Sequence, residues 1–356
     1  MKEIYFQELG IQYKRYNETP IATIRTSIKH REEMHAIIDT LYKNIPKENI
    51  LGPAFCIYVY VTSVEDFDVE LGFPVSKIIE TDEVKTRILS EMEVLSIVHE
   101  GPISQKTESY KKLYGFTEKH GIISDEFTRE IFLDSNDPEG NKIELQFIIH
   151  NWNSLFEKRI ELILGKEKKL EVMKGIENVS LESAIEDKFH FVKCVMERLE
   201  YITDNDQMYS ILSGCAHVFP KNLIQKMKKV YQKARKENNV YKSIEITLKF
   251  MEKDPAWIKV PIREGKILYV TKNPRISKKQ VEARNDVVKR TAHCFCPIIR
   301  TNLDRGMPVK FCYCGAGWYK QQWEGILDKP VRIEIIESVL QGDDYCSFAI
   351  YIPDDL

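Results

Sequence analysis

Two stretches of this chain carry the same alternating pattern, and together they restrict the fold to a duplicated one. In Asp68-Val69-Glu70-Leu71-Gly72-Phe73-Pro74-Val75, the residues Val69, Leu71, Phe73 and Val75 share one face, and Glu70 and Gly72 the other. In Lys142-Ile143-Glu144-Leu145-Gln146-Phe147-Ile148-Ile149 the phase recurs, with Ile143, Leu145, Phe147 and Ile149 opposite Glu144 and Gln146. Asp137-Pro138-Glu139-Gly140-Asn141 supplies turn chemistry before the second run, since Pro fixes φ while Gly and Asn tolerate positive φ. What precedes each run also matches. Strand-like Pro20–Arg25 and Glu93–Val98 lead to helical patterns near His30–Tyr42 and Ser104–His120, then to second strands at Ala54–Val61 and Arg129–Asp134. The order strand, helix, strand, strand therefore occurs twice. It predicts a pseudo-twofold domain with one antiparallel sheet, covered by helices on one face and open or grooved on the other.

A carboxylate in mid-strand opposite an apolar set is costly to bury empty, and useful where its face meets a ligand. In Ala54–Val61, Phe55, Ile57 and Val59 share one face, while Cys56, Tyr58 and Tyr60 share the other. The apolar set is expected against the helices. The tyrosines are expected on the open face with Glu70 and Glu144, joined by Phe132. Aromatic walls around a carboxylate suit an aromatic cation through stacking, cation–π attraction and charge pairing. The plainer alternative is a solvated salt bridge at Glu144 among ordinary exposed strand tyrosines.

Residues 1–150 resemble the gyrase-inhibitor-like (GyrI-like) effector-binding domains, which serve as drug sensors in bacterial AraC-type and MerR-type regulators. The resemblance is carried by Asp68–Val75, Glu100-Gly101-Pro102, Tyr110, His120-Gly121 and the closing Ile143–Ile148, where Ile148 stands at the place of Pro74 in the first copy. It implies a small-molecule cleft in which Glu144 meets a cationic or polar aromatic ligand beside Glu70, Tyr58, Tyr60, Tyr110 and Phe132. It also implies a second possibility, a hydrolase of strained compounds with Glu144 as general acid or base. Sensors of this kind carry a DNA-binding region ahead of the effector domain. None is recognised here, so the expectation is a stand-alone binding or detoxifying protein rather than a transcription factor.

Composition closes several classes. With 356 residues the prior is two domains or three. The formal charge of -2 gives no electrostatic reason to expect nucleic acid. No apolar run reaches a membrane-spanning ~20 residues and no signal-peptide core opens the sequence, so a cytoplasmic protein is expected.

The pattern turns helical from residue 151 to 255, with amphipathic stretches through Leu155–Met173, Phe191–Leu199 and, after Pro220, Ile224–Val230. The last of these is basic, which reads as a solvated face. Residues 256–356 read as a smaller α/β domain, and 151–356 as one domain in the alternative. Two strands, Val331–Leu340 and Tyr345–Ile352, flank the turn Gln341-Gly342-Asp343-Asp344 and predict a β-hairpin. That hairpin resembles those closing small-molecule-binding domains of the 4-vinyl-reductase type. The fold class is thus α+β: a duplicated sheet domain, a helical segment and a cysteine-bearing α/β domain.

Five of eight cysteines lie after residue 290. Cys294-Phe295-Cys296 and Cys312-Tyr313-Cys314 are Cys-x-Cys pairs, which on strands place both sulfurs on one face. Three readings stand side by side. The four are ligands to zinc or an iron–sulfur cluster; Cys314 is a reactive thiol at a helix N-terminus, serving an enzyme or redox sensor; or all are small buried apolar residues.

Overall fold

The computed structural model describes residues 4–6, 10–58, 67–134, 136–254, 257, 259–276, 278 and 282–356, with the backbone alone at 4–6 and 126. The chain divides into two compact units, residues 1–119 with 123–150, and residues 120–122 with 151–356. The architecture is α+β.

The first unit contains β1 (Ile4–Phe6), β2 (Ile11–Tyr16), β3 (Thr19–Ile28), α1 (Glu33–Asn44), β4 (Phe55–Tyr58) and β5 (Phe67–Pro74). It continues with β6 (Lys85–Leu89), β7 (Met92–Glu100), α2 (Lys106–His120), β8 (Ser124–Phe132) and β9 (Lys142–Ile149). The repeat is therefore β3-α1-β4-β5 followed by β7-α2-β8-β9. All the described strands join one curled antiparallel sheet in the order β1-β2-β7-β9-β8-β4-β5-β3-β6. The second strands of the two copies meet at its centre, where Cys56 lies directly opposite Glu130. The offset of 74 positions that relates Glu70 to Glu144 also relates Cys56 to Glu130. The pseudo-twofold axis thus passes between a thiol and a carboxylate.

Register decides which side chains share a face, because directly paired residues point the same way. Tyr58 pairs with Val69 and Thr128, Glu130 with Leu145, and Phe132 with Ile143. These side chains lie with Leu71 and Phe73 on the face that carries the helices. Amphipathic α1 buries Met34, Ile38 and Leu41 there, and its Tyr42 ring lies 4.9 Å from Phe73. On α2, Tyr110 stacks on Phe147 at 5.9 Å. His99 of β7 holds the start of α2 through Ser109 Oγ and the Pro102 carbonyl, both at 3.1 Å.

The opposite face is where the sequence expectation is overturned. Ile57 pairs with Glu70 and Ile131 with Glu144, so Phe55 and Ile57 share a face with the two acids while Tyr58 does not. Phe55 and Ile57 form an apolar cluster with Ile21, extended by Leu89, Phe127 and Ile131. The alternation within β4 was read correctly, but its phase against the neighbouring strands was inverted. Both of its faces carry bulky residues, and both are buried.

The turn before β9 also differs in detail. The left-handed residue is Asn136 (φ 60), whose Oδ1 accepts a 2.6 Å bond from the Ala54 N–H. Space is tight at Gly140, where a Cβ would lie 3.0 Å from Asp134 Cβ.

The second unit begins with α3 (Trp152–Leu164), α4 (Lys166–Val172), α5 (Ile185–Ile202), α6 (Asn205–Ser213), α7 (Lys221–Arg235) and α8 (Val240–Met251). Asp204 and Gln207 form a capping box at α6. Then come β10 (Ile262–Glu264), β11 (Ile267–Thr271), α9 (Asp286–His293), α10 (Pro297–Arg300), α11 (Tyr313–Leu327), β12 (Arg332–Glu337) and β13 (Ser347–Tyr351). The strands form a second antiparallel sheet, β10-β11-β13-β12. One core draws on both the helices and this sheet, from Trp152 and Phe156 through Met196 and Trp323 to Phe348 and Ile350. No helix among the described residues is long and apolar enough to cross a membrane.

Candidate functional site

A cleft of about 340 Å³ opens on the helix-bearing face of the first unit, at the N-terminal ends of α1 and α2. Its apolar wall is Ile28, Met34 and Phe67, with the Phe67 ring edge-on to Tyr58 at 6.4 Å. Its polar side is Arg31, Tyr58, Lys106, Tyr110, Thr128 and Glu130. Glu130 is the hub. Its Oε1 accepts from Lys106 Nζ at 2.6 Å and from Tyr110 OH at 2.8 Å. Its Oε2 lies 2.7 Å from Arg31 NH1 and accepts from Tyr58 OH at 3.2 Å. A carboxylate has about four lone-pair sites, so these four donors saturate it.

Among the described residues, two cations face one carboxylate, and no second acid lines the cleft. The equivalent of Glu130 in the first copy is Cys56, and the helix-entry cations Arg31 and Lys106 arrive from opposite copies. Burial opposes ionisation of Glu130, yet Arg31 and Lys106 hold its carboxyl below the ordinary carboxylate range. Burial, with Arg31 adding, pulls Lys106 below its ordinary value, though Glu130 opposes this. Burial, aided by the charge of Glu130, pushes the Tyr58 and Tyr110 hydroxyls well up, so both stay protonated donors. The Lys106 ammonium lies 5.9 Å from the Tyr58 ring centre and 5.8 Å from that of Tyr110. Arg31 Nε donates to the Pro138 carbonyl at 2.5 Å, while its buried NH2 has no hydrogen-bond partner among the described residues.

Residues 11–150 match the family model described as the GyrI-like small molecule binding domain. This part of the chain is a GyrI-like domain. Among solved structures, the chain is similar to EcmrR in its DNA complex at 18% identity, over 39% of this chain and 56% of that one, with a TM-score of 0.35. It thus spans little more than half of that relative. It is similar to the EcmrR C-terminal domain at 17% identity, over 42% of this chain and 98% of that one, with a TM-score of 0.35. A third likeness, to SAV2435 bound to tetraphenylphosphonium, has 7% identity over 43% of this chain and 97% of that one, with a TM-score of 0.31. No curated protein matches the chain.

Within the GyrI-like domain, the structure gathers only part of the sequence-predicted set. Tyr58 and Tyr110 line the cleft. Phe132 lies beneath it, fully buried, with the Arg31 guanidinium 5.5 Å from its ring. Tyr60 falls outside the described residues. Glu70 and Glu144 share the opposite face, each with its own partners. Arg87 donates to both Glu70 oxygens at 2.7 and 2.6 Å and Thr23 adds a third bond. Glu144 accepts from Lys14 Nζ and Gln146 Nε2, both at 2.8 Å. The cleft carboxylate of this GyrI-like domain is therefore Glu130. The sequence held one signal for it: Thr128, Glu130 and Phe132 alternate as Glu144 and its neighbours do, and Glu130 shares the face of the aromatic residue rather than opposing it.

The Cys-x-Cys pairs are not on strands. Cys294 and Cys296 lie in the extended link between α9 and α10, Cys312 ends a short turn of 3₁₀-helix at Val309–Cys312, and Cys314 is the second residue of α11. Strand periodicity failed here because Pro297 starts α10 directly after the first pair and Tyr313 starts α11 within the second. Burial pushes the Cys314 thiol up to about 12, which outweighs the helix N-terminus and leaves little thiolate for nucleophilic attack at neutral pH.

Proposed function

We propose that the GyrI-like domain captures a flat aromatic small molecule bearing a negative charge, held in the cleft between α1 and α2. The observation that supports this is the saturation of Glu130 by Arg31, Lys106, Tyr58 and Tyr110. An incoming cation finds no free carboxylate oxygen, and the ammonium of Lys106 already sits near both tyrosine rings. Among the described residues the charged lining, Arg31, Lys106 and Glu130, sums to one excess positive charge, in a partly desolvated setting where charge counts for more than in water. Among the described residues, the buried Arg31 NH2 beside the cleft has no hydrogen-bond partner. The cavity of about 340 Å³ is at the small end of ligand pockets, of the size of a two-ring aromatic acid. Binding is favoured over catalysis because a carboxylate held below its ordinary range by two cations is a weak general base near neutral pH. A role as a sensor or scavenger of such molecules follows from that reading.

Calorimetric titration of the whole chain with 2-naphthoate tests it. The expected result is saturable binding that Arg31→Met and Lys106→Met each weaken about tenfold, the equivalent of about 1.4 kcal/mol. Glu144→Gln, on the other face, leaves it unchanged. Binding that ignores both cations, or no binding at all, overturns the reading.

A further inference from the structure

Lys106 is held in the cleft more loosely than its companion cation. The Arg31 guanidinium is tied on several sides, donating to the Pro138 carbonyl and to Tyr58 OH as well as pairing with Glu130. Lys106 lines the cleft with its side chain 19% exposed. Among the described residues its ammonium donates to Glu130 Oε1 alone, at 2.6 Å. An ammonium has three N–H donors, so two of them meet no acceptor among these residues.

Its place in the fold also works against the positive charge. Lys106 is the first residue of the 15-residue α2, and the start of a helix favours anions over cations. Arg31 shares its carboxylate, so a second cation stands close by. Burial lowers the Lys106 pKa against the pull of Glu130, and Arg31 lowers it further. An arginine would bring the same charge without this sensitivity, because a guanidinium does not deprotonate in proteins. A desolvated lysine beside another cation is a recurrent way to make an amine available as a nucleophile.

We infer that Lys106 captures an aromatic aldehyde as a Schiff base, with Glu130 as counter-ion to the protonated imine. The assignment rests on the cleft being a site for flat aromatic acids, and narrows that class to acids that also carry an aldehyde group. Once the ammonium gives up a proton, the nitrogen lone pair attacks the carbonyl carbon. The N–C bond forms and the π pair of the carbonyl moves to oxygen. Two of the three ammonium protons end on that oxygen, the C–O bond breaks and water leaves. Ammonium and aldehyde thus become protonated imine and water, with the charge unchanged and nothing oxidised or reduced. The N–H that remains on the imine can still donate to Glu130 Oε1, so capture does not sacrifice the ion pair. The Tyr58 and Tyr110 rings, centred 5.9 and 5.8 Å from Nζ, flank the conjugated imine. Arg31 remains as the cation for the acid group of the ligand.

The whole chain, incubated with 6-formyl-2-naphthoate at neutral pH, reduced with borohydride and mapped by peptide mass, provides the test. The expected result is a single reduced adduct, on Lys106. Excess 2-naphthoate lowers its yield about tenfold or more by occupying the cleft. Lys106→Met abolishes the adduct, while Lys188→Met, which removes another lysine whose pKa burial lowers, retains it. If the Lys106 variant does not fold, the mapped position in the wild type and its protection by 2-naphthoate still decide. No adduct, or adducts scattered over surface lysines, overturns the inference. If 2-naphthoate binds in the same preparation, that failure leaves the reading of the cleft standing; loss of both binding and adduct overturns the two together.

Discussion

Lys106 Nζ lies 2.6 Å from Glu130 Oε1 while Arg31 NH1 lies 2.7 Å from Glu130 Oε2, so one buried carboxylate bridges the two halves of a duplicated domain. Each cation enters from the start of a different helix. The carboxylate sits on the strand pair that carries the pseudo-twofold axis. Duplication with Cys56 at the place of a second acid leaves the described lining of the cleft with one positive charge in excess.

Breaking this bridge from the acid side is expected to be severe. Glu130→Gln strands two half-buried cations, a loss of about 2–4 kcal/mol in folding free energy once solvent screening is allowed for. Urea unfolding of the whole chain, followed by tyrosine fluorescence in the first unit, measures it. A loss under about 1 kcal/mol would mean that the charges are solvated.

The same carboxylate gives a pH signature. Its folded pKa lies below its unfolded value, so its stabilisation is full above about pH 4.3. It is lost as pH falls from there through the lower folded value. Acid unfolding curves of wild type and Glu130→Gln should therefore converge below about pH 4 and separate above it. Curves parallel down to the lowest pH would show that the group titrates normally.

Tyr110 has two separable contributions, a ring stacked on Phe147 and a hydroxyl on Glu130. Tyr110→Phe removes one hydrogen bond to a charged group, worth about 1.5–3 kcal/mol, and keeps the ring as a cleft wall. Tyr110→Ala removes both and is expected to abolish measurable 2-naphthoate binding. Equal affinity in Tyr110→Ala and wild type would remove Tyr110 from the binding wall.

Lys188 offers a test in the second unit. It donates to the carbonyls of His120 at 2.5 Å and Leu181 at 2.7 Å, and burial pulls its pKa down to about 8. A lysine with a depressed pKa contributes most when neutral, so its stabilisation is full above its unfolded value near 10.4 and is lost as pH falls towards 8. Relative to Lys188→Met, the wild type should gain about 1–2 kcal/mol between pH 8 and pH 10, after allowance for solvent screening. A constant difference across that range would contradict the shift.

Gly317 in α11 is fixed by close approach. A Cβ there would lie 2.0 Å from the Ser213 carbonyl oxygen and 2.8 Å from Ala216 Cβ. Gly317→Ala should destabilise the second unit by about 1–3 kcal/mol or more, despite its better helix propensity. Thermal unfolding would show it as a lowered midpoint.

Much of the fold was legible in the sequence, and the reasons it was incomplete are local. Alternation in 68–75 and 142–149 and the matching order of elements identified the duplicated sheet, because period and order belong to the chain itself. The face that each strand presents belongs to pairing. Phe55 and Ile57 look like core residues against helices, and only the Ile57–Glu70 register shows them on the other side. The carboxylate is misplaced for the same reason, since Glu144 and Glu130 both sit in mid-strand with an apolar residue directly after them. What separates them is the approach of Arg31 and Lys106, long-range contacts that no local pattern records. The Cys-x-Cys pairs are visible in the sequence, whereas the bond from the Cys346 N–H to His293 Nε2 is a long-range contact that it does not record.

The most direct measurement is the ratio of dissociation constants for two probes of one shape, 2-naphthoate and trimethyl(2-naphthyl)ammonium, on the wild-type chain at low salt. An excess of positive charge around a saturated Glu130 predicts that the carboxylate binds at least about tenfold more tightly. It also predicts that the gap closes when Lys106→Met and Arg31→Met are combined. Tighter binding of the ammonium probe would contradict the account, because it would mean that Glu130 is available to a ligand cation.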